Sequence, residues 1–88
     1  MTDVKITCEA GGIGHWLALD DVDIEVPPAG RTFSLAPGVY YLAWWIVGTP
    51  GDPMKIKASV NGEAIAEADT QIPAGEDKAA GVLKLEVK

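Results

Sequence analysis

His15 is the only histidine in the chain and Cys8 the only cysteine, and those two counts already narrow the available chemistry. A nucleophilic Ser-His-acid arrangement would have to recruit His15 together with Ser34 or Ser59. Both serines fall on the polar side of alternating segments, away from any nucleophile elbow or strand-to-helix turn. Cys8 shares the apolar side of its segment with Val4 and Ile6, where a thiol packs as a small, inert hydrophobe. One cysteine and one histidine cannot supply the three or four ligands that zinc requires. The expectation is a chain that is not an enzyme and holds no metal or cofactor.

Two further groupings could bind ions. Asp20, Asp21, Asp23 and Glu25 gather oxygen donors of the kind a hard cation wants. They follow no calcium-loop pattern, and Asp23 and Glu25 alternate with Val22, Ile24 and Val26 as an ordinary solvated face would. Gly11, Gly12 and Gly14 could in principle cradle a phosphate, but that needs a helix N-terminus behind them. Here His15-Trp16 and an alternating Leu-Ala-Leu follow, which reads as a strand.

The aromatic residues give the positive signal. Five of the six are Trp16, Tyr40, Tyr41, Trp44 and Trp45, and four of these lie within Val39–Val47. In an extended segment successive side chains point to opposite faces. Tyr40, Leu42, Trp44 and Ile46 therefore oppose Val39, Tyr41, Ala43, Trp45 and Val47. A strand apolar on both faces needs cover on both. Either a loop and long neighbouring side chains shield the second face, or that face receives a ligand or another protein. Exposed flat rings suit protein contacts or sugar stacking. The candidate binding residues are accordingly Tyr40, Trp44, Tyr41, Trp45, His15 and Trp16.

The elements that must position these residues are short strands. Turn signals recur along the chain, from Gly11-Gly12-Ile13-Gly14 and Asp20-Asp21 to Asn61-Gly62 and Pro73 to Gly75. That spacing predicts an antiparallel β-sandwich, Ig-like or jelly-roll-like, of about seven to eight strands; a small β-barrel is the alternative. Asn61-Gly62 is a type I′ hairpin signal joining 54–60 to 63–69. The second arm, Glu63-Ala64-Ile65-Ala66-Glu67-Ala68, has helix propensity, but its alternation, with the three alanines facing one way, favours a strand. Leu35 to Leu42 followed by Val60-Asn61-Gly62 resembles the turn grammar of bacterial β-sandwich accessory domains; no functional residue follows from that resemblance.

Size and charge bound the rest. The chain has 88 residues, enough for one domain spanning 1–88, and 48% of them are hydrophobic. Thirteen acidic against seven basic residues give a net charge of -6, which disfavours nucleic acid and anionic membranes as partners. A single cysteine excludes an internal disulfide and suits a reducing compartment. The start Met1-Thr2-Asp3-Val4-Lys5 lacks the pattern of a secretory signal. The expectation is a cytoplasmic domain, unless the chain is a piece of a longer secreted protein. Its function is expected to be non-catalytic: a protein-interaction or self-assembling β-sandwich module, forming a homo-oligomer, with a small carbohydrate-binding domain as the alternative.

Overall fold

Alternation of apolar and polar residues carries almost the whole chain into strands. The computed structural model describes all residues, Met1 to Lys88. Eight strands follow in order: β1 (Thr2–Ala10), β2 (Gly14–Leu19), β3 (Val22–Ile24), β4 (Arg31–Leu35), β5 (Gly38–Val47), β6 (Pro53–Val60), β7 (Glu63–Gln71) and β8 (Lys78–Val87). They form two four-stranded sheets, β4-β1-β6-β7 and β3-β2-β5-β8, with every pairing antiparallel. The two sheets stay separate and pack face to face, so the fold is a β-sandwich and not a closed barrel. No helix is long and apolar enough to cross a membrane.

The core is made by the inward faces of both sheets. Val4, Ile6, Met54 and Ile56 from the first sheet meet Leu17, Leu42, Ile46 and Leu85 from the second, all buried. No polar side chain is buried among them. Cys8 packs half-buried against this core, and its Sγ lies 3.8 Å from Met54 Sδ. Desolvation, followed by the negative charge of Glu9, pushes the Cys8 thiol pKa above its usual value.

Two hairpins set the register. Asn61 and Gly62 both take positive φ, 53° and 83°, as a two-residue type I′ loop between the paired residues Val60 and Glu63 requires. Glu63–Gln71 is a strand, as its alternation predicted. A β-bulge after Ala58 changes its facing: Ala66 opposes Ala58, but Ala64 opposes Ser59. Ala64 therefore joins the polar face and is exposed, while Ala66 and Ala68 pack toward the core. The three alanines do not share a side, because the extra residue at the bulge shifts the alternation by one.

Asp20 and Asp21 form the second tight hairpin, with φ of 48° and 66°, between the paired residues Leu19 and Val22. Asp20 also ties this turn to the neighbouring strand. Its carboxylate accepts from the Tyr41 N–H at 2.8 Å, and its own N–H donates to the Tyr41 carbonyl at 3.0 Å.

Candidate functional site

Strand β5 divides the aromatic set in two. Tyr40 and Trp44 face the core together with Leu42 and Ile46. The Tyr40 hydroxyl donates to the Ala36 carbonyl at 2.7 Å, pinning the entry of β5 as a tyrosine corner does. Trp44 lies flat over Gly81, its partner across the β5–β8 ladder; a Cβ on Gly81 would stand 2.5 Å from the indole. These two aromatics are structural and lie on the opposite side of the sheet from the rest.

The other face is open. Tyr41 is 52% exposed, Trp45 45% and Trp16 54%. The expected shield of loop and long side chains does not cover it: beside the tryptophan pair the ladder offers only Ala80, and the one long side chain, Lys84, stands next to Tyr41. Cross-strand partners show this row by row. Gly14, Val47 and Lys78 form one row, and Trp16, Trp45 and Ala80 the next. The middle row is Ala18, Ala43 and Val82; beyond it Tyr41 pairs with Lys84, and Val39 with Glu86. Val82 is 65% exposed.

The register places Trp16 directly opposite Trp45, and their ring centroids lie 4.7 Å apart with the planes inclined by 33°. Pairs at this distance contribute beyond their buried area. The Trp16 ring reaches back over Gly14, where a Cβ would stand 3.5 Å from its Cη2. The result is a two-ring platform continued by Ala43, Val82 and Tyr41, with charges along its edges: Asp23 beside Ala18 on one side, and Lys78 and the ion pair Lys84–Glu86 at 3.2 Å on the other.

The opposite face of the sandwich is of a different kind. There Glu9, Lys55 and Asp69 form one cross-strand row and Thr7, Lys57 and Glu67 another. Alternating charges of this sort make a solvated surface.

The remaining candidate residues are dispersed. His15 is exposed at the start of β2, on the side of Leu17, at a groove also lined by Asp23, Glu25 and Arg31. It bonds neither serine: Ser34 donates to Asp3 at 2.8 Å on the first sheet. No three His, Cys, Asp or Glu side chains gather closely enough to hold a metal ion, the Asp20–Glu25 stretch included. The loop from Gly11 to Gly14 is no anion cradle either. A Cβ at Gly48 would run into the Asp52 carboxylate, and one at Gly12 would stand 3.2 Å from it; this carboxylate accepts from the Thr49 N–H at 2.8 Å. A negative group already occupies that position.

Sequence reading missed the contribution of β8. Lys78-Ala79-Ala80-Gly81-Val82 carries little apolar alternation, yet it supplies the flat flank beside Trp45. The signal that could have found it is the small side chain at each position facing a ring. No protein-family model, curated protein or solved structure matches this chain.

Proposed function

We propose that this chain is a non-catalytic protein-interaction and self-assembly module that docks through the outer face of the β3-β2-β5-β8 sheet. The observation that carries this reading is the stacked Trp16–Trp45 pair, standing open in a flat apolar field of Ala18, Ala43, Ala80 and Val82. Contiguous exposed apolar faces mark contact surfaces, and Trp and Tyr are the anchors that dominate such contacts. The acidic surface turns nucleic acid and anionic membranes away. A free, half-buried Cys8 and the absence of disulfides agree with a reducing, cytoplasmic setting.

Exposed rings also suit a sugar, but sugar sites place hydrogen-bonding side chains beside the rings. Here the polar side chains of the open face, Asp23, Lys78, Lys84 and Glu86, stand at its edges with none paired to a tryptophan. The other candidates, Asp20, Asp52 and Asn61, are elsewhere or engaged. Asp52 is held by Thr49, Asn61 sits in the hairpin of the other sheet, and Asp20 already accepts from Tyr41. Protein contact is the better-supported reading.

The test is sedimentation of the chain across concentration, beside a glycan array. Self-association that weakens in Trp45→Arg and Trp16→Arg, with no glycan retained, supports the proposal. A chain that stays monomeric and retains a glycan through Trp45 overturns it.

A further inference from the structure

Along β5 and at the two ends of β8 the rows of the open face are arranged symmetrically about their middle; Ala80 and Lys84, between them on β8, are not matched. On β5, Trp45 and Tyr41 stand at equal distances either side of Ala43, and Val47 and Val39 beyond them. On β8, Lys78 and Glu86 stand at equal distances either side of Val82. Charges of opposite sign thus occupy equivalent places at the two ends of one strand.

We infer that the occupant of this face is a second copy of the chain, stacked face to face about a two-fold axis that crosses the strands at the Ala18-Ala43-Val82 row. This rests on the docking face proposed above. Such an axis lays each strand over its own copy in reverse, so each row meets the row equally far beyond the middle. Trp45 comes over Tyr41 of the second copy, and Val47 over Val39. Lys78 comes over Glu86 and Lys84 over Ala80, and each of these four pairs forms twice. Ala18, Ala43 and Val82 meet themselves and are small enough to do so. Asp23, in the same row on the edge strand β3, meets its own copy at the rim, where water screens the like charges.

A two-fold running along β5 instead would bring Val39, Tyr41, Trp45 and Val47 each against itself, ridge on ridge. It would also leave Lys78 opposite Gly14 and Glu86 opposite nothing. That axis does gain Lys84 opposite Asp20, but the self-contacts of its large side chains count against it, so size selects the crossing axis and the Lys78–Glu86 pairs support it. Lys78 makes no ion pair within its own chain, so it is free for this one. Trp16 comes over the Asp20–Asp21 hairpin of the second copy, where the Asp21 carboxylate, which makes no side-chain bond in its own chain, is an acceptor of the kind a buried indole N–H takes.

The area sets the strength. Strands of up to ten residues at about 3.3 Å each, in a sheet with about 4.8 Å between strands, give roughly 500 Å² per copy. About 1,000 Å² in total is the lower bound of a specific interface, which puts the dimer in the size class of weak, transient contacts.

Charge exchange tests the axis. Sedimentation equilibrium of the full chain, over about 5 to 500 µM, is compared for wild type, Lys78→Glu, Glu86→Lys and the double exchange. In about 0.15 M salt, where the change in net charge from -6 is largely screened, each single exchange sets like charges together at both ends of the interface and should weaken the dimer about three- to tenfold. The double exchange should restore it to within about twofold, an outcome that also shows the variants fold. A dimer that Trp45→Arg breaks, but in which the two exchanges add instead of cancelling, overturns the axis and leaves the docking face standing. A chain monomeric throughout overturns the second copy as occupant, and with it the self-assembly part of the proposed function.

Discussion

Two adjacent aspartates show how much one side chain can decide. Asp20 and Asp21 both sit at positive φ, a conformation that costs most L-residues about 1 kcal/mol. Asp20 recovers this through its bond to the Tyr41 N–H, whereas Asp21 makes no side-chain bond. Asp20→Gly should therefore destabilise by about 1 kcal/mol, and Asp21→Gly should be neutral or stabilise by about 0.5 kcal/mol. Equal effects in denaturant melts would contradict the division of roles. At the other hairpin, nothing lies within 4 Å of a Cβ on Gly62, so any penalty there is purely of the backbone. Gly62→Val should cost on the order of 1 kcal/mol or more, and an unchanged melting temperature would refute the type I′ turn. Cys8 gives a pH dependence. Its folded-state pKa is raised, so the unfolded thiol ionises first as pH climbs. Its neutral effect on stability below the unfolded pKa turns into a loss above it. Cys8→Ala should flatten the alkaline limb of the stability profile, and parallel profiles for the two proteins would count against the raised value.

At the scale of elements, period-two alternation made the strands of this fold legible, because each buries one side and wets the other. The Asn61-Gly62 hairpin was legible for the same local reason, as were the two faces of Val39–Val47. Three features were not. The bulge at Ala58 and Ser59 depends on how β6 and β7 pair, and alternation alone cannot show an inserted residue. The start of β8 is built from Ala and Gly, whose small side chains carry no period. The Trp16–Trp45 stack requires the β2–β5 register, which joins residues far apart in sequence. Tyr40 and Trp44 could be separated from Tyr41 and Trp45 by parity, but which pair faced the core was decided by the fold around them. Gly81 records that decision. Gly→Ala within a strand ordinarily stabilises by reducing unfolded-chain entropy. Here the added methyl would strike the Trp44 indole at 2.5 Å, and a ring packed against the core cannot move aside cheaply. Gly81→Ala should destabilise by about 1 to 3 kcal/mol, with a shift in the tryptophan emission of the folded state. A more stable variant would mean that the indole does not lie over β8.

The whole molecule sets its charge against its own apolar face. Each chain carries -6, so two copies stacked through the second sheet repel one another. Four sheets spaced at about 10 Å place the centres of the two sandwiches roughly 20 Å apart. Treated as point charges in water, 6 against 6 at that distance cost about 7 kcal/mol unscreened. At 0.01 M salt the Debye length is about 30 Å and roughly half of this survives; at 0.1 M it is about 10 Å and only about 1 kcal/mol remains. The spread of real charges over the surface softens these values, yet the sign stands. The apolar contact is unaffected by such dilute salt, and the two Lys78–Glu86 contacts contribute less than the global repulsion. Added salt should therefore tighten self-association, by about tenfold or more between these two concentrations. Sedimentation at fixed pH and varied ionic strength reads this directly. Weakening with salt would mean that local charge pairs drive association and the tryptophan platform does not. A dissociation constant indifferent to salt would place the contact where the net charge of the chain is not felt.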